Sequence, residues 1–237
     1  RYRAQRHCLA GLAELAQLLS QLKPSQCLIY GHCPELGDTP YNIEPEADLR
    51  TLLKLAKDAP KPTGIHTRNG KPVIGRFKEN FKSGGLLFID RDRNPSMPAS
   101  LETSDDEAFF CQLDAVVPHI SQCERLAYSS SSSRVLRKGI PVFEGTPSRH
   151  YWLQLADPDQ SLDEIRKTLT VASANANLCF AESSSSGARL NRTVLDLSVY
   201  SAEREIFDAP PHVINPLKCA EGDYTIANVG GGAVTIK

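Results

Sequence analysis

The sequence has no apolar run long enough to span a bilayer, so no membrane-crossing helix is expected. It also has no C-x-x-C pair. Seven cysteines, Cys8, Cys27, Cys33, Cys111, Cys123, Cys179 and Cys219, are scattered and odd in number. This argues against a zinc ribbon and against a disulfide framework, and fits a reducing, cytoplasmic setting. Cys27, His32 and Cys33 could contribute metal ligands, although isolated buried cysteines are commoner. The basic start Arg1-Tyr2-Arg3 is followed by no signal-peptide core, since Glu14 and Gln17 interrupt the apolar stretch 8–22. No initiator Met opens the chain, and an excised domain of a longer protein is expected. Global charge is lacking too: the formal net charge is -1, so any nucleic-acid binding must rely on positive charge gathered locally.

What remains is ordinary globular composition: 237 residues, 41% hydrophobic and 23% charged, enough for one large domain or two small ones. Leu9, Leu12, Leu15, Leu19 and Leu22 recur at helical spacing and predict a helix over 8–22, ending before Pro24. A short strand is predicted within 26–32. A second helix is predicted over 47–57, stopped by Pro60. Residues 61–82 carry six Lys or Arg against one Glu, with an Asn69-Gly70 turn signal between two strand-like pieces. The continuous apolar run Leu86-Leu87-Phe88-Ile89 predicts a strand buried on both faces. Capping-box signatures at Ser104/Glu107 and Ser161/Glu164 predict two helices, the first including Phe109, Phe110, Leu113, Val116 and Val117. Strands are predicted at 125–130, 150–155 and 193–200. This alternation predicts an α/β or α+β fold, organised as a helical and strand subregion (1–60) packed on a core (61–237). Of two serine runs, 183–186 reads as a plain loop. The run 129–133, leading to Arg134, Arg137 and Lys138, reads equally as a loop or a phosphate-facing edge.

Asp90 and Asp92 stand two apart at the polar end of a strand, which points both carboxylates to one spot. Carboxylates that close raise each other's pKa unless a cation lies between them, and Mg2+ or Mn2+ suits oxygen ligands. The alternative is an acidic strand end ion-paired to Arg91 and Arg93. Asp196 lies within the apolar stretch 193–200, where an unpaired buried carboxylate is costly. It either pairs with Arg192, on the same strand face, or completes the metal site. Ser148 and His150 share a strand face by the same two-residue spacing and suit phosphate oxygens. A hydrolase triad would want a G-x-S-x-G elbow, which is absent.

With these pieces in order, the sequence resembles the archaeo-eukaryotic primase superfamily of primase-polymerases. The three motifs are Phe88-Ile89-Asp90-Arg91-Asp92, Ser148-Arg149-His150 and Leu195-Asp196, in the family's order and rough spacing. Val199-Tyr200, Arg204 and the segment from Ile206 through Asp208 to His212 are similar to replication primases of phages, plasmids and integrated elements. The resemblance covers roughly residues 65–213. It implies a central mixed or antiparallel, RRM-like sheet flanked by helices, and template-directed nucleotidyl transfer that makes or extends primers on single-stranded DNA. Asp90, Asp92 and Asp196 would hold two divalent ions, Mg2+ or Mn2+, bridging an NTP or dNTP and the primer hydroxyl. Ser148 and His150 would contact the phosphates, with Arg192, Arg204, Arg134, Arg137 and Lys138 as further cations. Arg68, Lys71, Arg76 and Lys78 would meet the template backbone. A replicative helicase, or helicase domain, is an implied partner. Relatives place a basic residue two positions before the motif serine; here it is Thr146. Competing readings are a D-x-D glycosyltransferase, needing neither Asp196 nor the Ser148/His150 pair, and a non-catalytic nucleic-acid module. A rolling-circle nuclease would need a paired-histidine motif, which is absent.

Overall fold

The structure, a computed structural model, describes residues 2–92, 94–142 and 148–237. The fold is α+β. Its centre is a four-stranded antiparallel sheet in the order Thr225–Ala227, Arg125–Ser129, Arg149–Gln154, Leu86–Arg91. The apolar run at Leu86 forms the predicted strand, and Leu87, Phe88 and Ile89 are all buried. Both faces of the sheet are covered, which is why the run does not alternate with polar residues. On one face the helix Asp106–Leu113 lays Phe109 and Phe110 against Tyr151. On the other, Tyr30 packs edge-on against Phe88 and Trp152. Leu12, Leu15 and Leu19 of the helix Leu12–Ser20 belong to this same core.

Chain order through the centre is strand Leu86–Arg91, helix Asp106–Leu113, strands Arg125–Ser129 and Arg149–Gln154, and helix Leu162–Asn175. This is the β-α-β-β-α part of a ferredoxin-like unit. The fourth strand of the sheet, Thr225–Ala227, joins the edge beside Arg125–Ser129. Along the opposite edge, beside Leu86–Arg91, runs the Asp196 segment, whose N–H reaches the Asp90 carbonyl at 3.4 Å.

A second sheet joins Tyr2–Ala4, Tyr41–Glu44, Lys71–Gly75 and Ile65–Arg68, and so ties residues on both sides of position 60 together. Asn69 and Gly70, both at positive φ (52° and 72°), form the predicted tight turn of its hairpin. No helix among the described residues is long and apolar enough to cross a membrane.

Several boundaries differ from expectation. The second helix is only Glu46–Leu52, because Lys54 turns left-handed (φ 54°) well before Pro60. The predicted strand at 26–32 shrinks to Leu28–Ile29, paired with Glu205–Ile206. Asp105, rather than Ser104, caps the helix Asp106–Leu113 by accepting the Ala108 N–H at 2.8 Å. That helix stops short of Val116 and Val117, which are buried in the following turns. Ser161 does stand at the N-terminus of Leu162–Asn175, but its side chain makes no capping bond.

The largest correction concerns 193–200. The strand is Arg189–Thr193, paired with Cys179–Ser183, and the chain then leaves the ladder. Leu197–Val199 is a single 3₁₀ turn capped by Asp196, which accepts from the Ser198 N–H (2.8 Å) and hydroxyl (2.9 Å). Asp and Ser bonding their own local backbone compete successfully with a strand here.

Candidate metal and phosphate site

Asp90 is the penultimate residue of the strand Leu86–Arg91, and its cross-strand partner is His150, whose next partner across the sheet is Tyr128. Residues directly opposite in adjacent strands project from the same face. A carboxylate, an imidazole and a phenol therefore stand in one row, with Phe88, Trp152 and Leu126 forming the buried row two residues further in. Asp92 follows just beyond the strand end, and the Asp196 turn arrives along the sheet edge. One ligand oxygen from each of Asp90, Asp92 and Asp196 lies within 4.8 Å of the others. This trio can hold a metal ion.

The fit is supported at Asp90, whose Oδ1 is buried without a hydrogen-bond partner among the described residues. Burial, first, pushes the Asp90 carboxyl up to about 7, and the charges of Asp92, Asp196 and Asp208 add to that while His150 opposes it. A cation among the three carboxylates would relieve both the desolvation and the mutual repulsion. Oxygen ligands of a cation with bonds of about 2.1 Å lie about 3 Å apart when adjacent and about 4.2 Å when opposite, a spacing comparable to the 4.8 Å limit within which the trio's oxygens lie. Among the described residues no other His, Cys, Asp and Glu group of this kind forms, so Cys27, His32 and Cys33 make no metal site.

His150 Nε2 lies 3.5 Å from Asp90 Oδ1, and its Nδ1 lies 2.5 Å from Asp208 Oδ1. A carboxylate only accepts, so Nδ1 carries a proton. Burial favours a neutral ring, but the Asp208 hydrogen bond and the charges of Asp208, Asp90 and Asp92 together outweigh it and raise the imidazole pKa. Asp208 is fully buried and also accepts from the Tyr128 hydroxyl at 2.5 Å, which in turn accepts from Trp152 Nε1 at 2.8 Å. In the sequence, Asp208 stands within the segment 206–212 that is similar to replication primases, where it has no assigned role. Its only local signal is a lone acid between apolar Phe207 and Ala209.

The remaining candidates separate. Arg91 does not pair with the acidic strand end; it points to the opposite face, where Asp106 takes both Arg91 (3.5 Å) and Arg149 (2.9 Å). Arg192 pairs with Glu182 at 2.5 Å, so the proposed Arg192–Asp196 bridge is absent. Arg134 is buried with its guanidinium on the Ala220 carbonyl and cannot face a phosphate. Lys138 (φ 53°) stands exposed at a hairpin tip beside exposed Arg137, and Arg204 is exposed with no ion pair among the described residues. Ser148 immediately precedes the strand, its carbonyl accepting from Ser130 N–H and the Ser133 hydroxyl. Thr146 and Arg93 lie outside the described residues. In the basic segment, Arg68 pairs with Glu44, Arg76 with Glu205 and Lys78 with Asp163, while Lys71 is exposed.

The serine run forms a loop with a short 3₁₀ segment, Ser132–Arg134, and its hydroxyls are bonded within the protein. Ser129 bonds Asp223, Ser130 bonds the hydroxyls of Ser132 and Ser133, and Ser131 donates to the carbonyls of Phe207 and Ala209. It clamps the backbone on either side of Asp208. A cleft of about 460 Å3, lined in part by Phe110, Arg125 and Asn228, contains none of the trio. Comparison with known proteins finds no matching family model, no matching curated protein and no matching solved structure.

Proposed function

We propose that this chain is a template-directed nucleotidyltransferase, a primase or DNA polymerase that makes or extends primers on single-stranded DNA. The observation that carries the reading is the imidazole of His150 standing 3.5 Å from an unpartnered oxygen of a three-carboxylate cluster. A site of acids alone suits a metal; acids beside a donor imidazole suit a metal together with phosphate. Asp90, Asp92 and Asp196 would hold Mg2+ or Mn2+, two ions in this reading. The chemistry supplied when they are bound is charge neutralisation and polarisation at the phosphoryl group. His150, with Nδ1 donating to Asp208, would donate from Nε2 to a phosphate oxygen as an imidazolium, and Arg204, Arg137 and Lys138 are exposed cations available for the remaining charge. Lys71, rather than its ion-paired neighbours, is free to meet a template phosphate.

The D-x-D glycosyltransferase remains the second reading, since Asp90 and Asp92 alone would serve it. The third carboxylate and the imidazole at the same spot favour the first. Calorimetric titration with Mn2+ and either a nucleoside triphosphate or a nucleotide sugar separates the two. The expected result is Mn2+-dependent triphosphate binding that Asp196→Ala abolishes. Binding of the nucleotide sugar alone, indifferent to Asp196→Ala, would move the assignment to glycosyl transfer.

A further inference from the structure

Asp208 is a carboxylate with no exposed side-chain surface, yet it is no member of the metal-holding trio. Both its oxygens are used: Oδ1 toward His150 Nδ1, Oδ2 toward the Tyr128 hydroxyl, which Trp152 orients from behind. Its own backbone is held by the Ser131 hydroxyl at the two flanking carbonyls. A ring nitrogen bonded in this way fixes the orientation of the ring and so the direction of the other nitrogen. Here that other nitrogen, Nε2, is directed at Asp90. A buried acid held from three sides is more than a salt bridge needs, and it constrains the one ring that faces the carboxylates.

We propose that Asp208, steadied by Tyr128 and Ser131, is a positioning residue that holds His150 Nε2 toward the carboxylate trio for contact with a nucleotide's phosphates. This rests on the nucleotidyl-transfer reading for the identity of the ligand, but the orientation of the ring does not. Asp208→Asn keeps the volume and replaces the acceptor by a weaker, neutral one. It is expected to raise KM for the nucleotide on the order of tenfold, with kcat changed much less, while Mn2+ affinity stays within about twofold. In a His150→Gln background the same substitution is expected to add nothing, because its effect passes through the ring.

Ring 15N signals of His150, assigned by their loss in His150→Gln, supply a readout independent of turnover. They are expected to show Nδ1 protonated and hydrogen-bonded in the wild type and a shifted Nδ1 signal in Asp208→Asn. An equal rise in KM in both backgrounds, or ring signals that Asp208→Asn leaves unchanged, would overturn the proposal. If the wild type incorporates no nucleotide, the functional reading has failed, and the ring signals with titration of inorganic triphosphate decide the positioning role. A changed ring with weakened triphosphate binding supports it, and anything else overturns it. Should Asp208→Asn not fold, Tyr128→Phe, which removes only the hydroxyl behind Asp208, is expected to give the same pattern at smaller size.

Discussion

Asp90 is the residue on which opposing demands meet. Its carboxyl is held near 7 by burial and by three neighbouring acids, and the His150 imidazole is raised as well. For both groups the folded chain binds more protons than the unfolded one. The stability they contribute is present at low pH and lost as pH rises, for Asp90 between about 4 and about 7. The metal-free protein is therefore expected to melt at a lower temperature at pH 8 than at pH 5. Added Mg2+ or Mn2+ should raise the melting temperature more at pH 8 than at pH 6, because protons and metal compete for the same oxygens. Asp90→Asn should stabilise the metal-free protein at pH 8, on the order of 2 kcal/mol, and abolish the metal response. A destabilised variant that still responds to metal would contradict this account of Asp90.

At the scale of elements, helix and turn chemistry make separate predictions. Asp105→Ala removes the acceptor for the Ala108 N–H and should cost about 1 kcal/mol in urea unfolding, whereas Ser104→Ala should cost less. Gly70→Ala forces a Cβ into positive φ in the tight hairpin turn and should cost about 1 kcal/mol by the same measurement. These two sites also show what was legible beforehand. The Asn69-Gly70 turn and the strand from Leu86 were readable because local chemistry and tertiary position agree there. The cap was misplaced by one residue because Ser104 and Asp105 are both good caps, and only the geometry decides between them. Residues 193–200 read as a strand from apolar content, but Asp196 bonding Ser198 locally ends the ladder early. Asp90, Asp92, Asp196 and His150 were legible as a cluster; Asp208 was not, because its meaning lies in a partner 58 positions away. The pairing of Arg134 with Ala220 is equally non-local, and no pattern of charge along the chain reveals it.

For the whole molecule, net charge is near zero and three of the six basic side chains in the segment 61–82 are ion-paired from outside it by Glu44, Glu205 and Asp163. Binding of a labelled single-stranded oligonucleotide should therefore show a salt slope well below the value of about 4 that six phosphate contacts would give. Lys71→Ala should weaken it more than Arg76→Ala, as anisotropy titrations would show. A steep slope, equally sensitive to both substitutions, would mean that the ion pairs open on binding. The central claim, that the carboxylate trio serves templated nucleotidyl transfer, is tested most directly by primer extension. The intact chain is incubated with Mn2+ or Mg2+, a homopolymeric single-stranded template carrying an annealed primer, and each labelled nucleotide in turn. The expected result is incorporation of only the nucleotide complementary to the template, lost with Asp90→Ala and with Asp196→Ala. Incorporation that persists in those variants, or that ignores the template base, would contradict it.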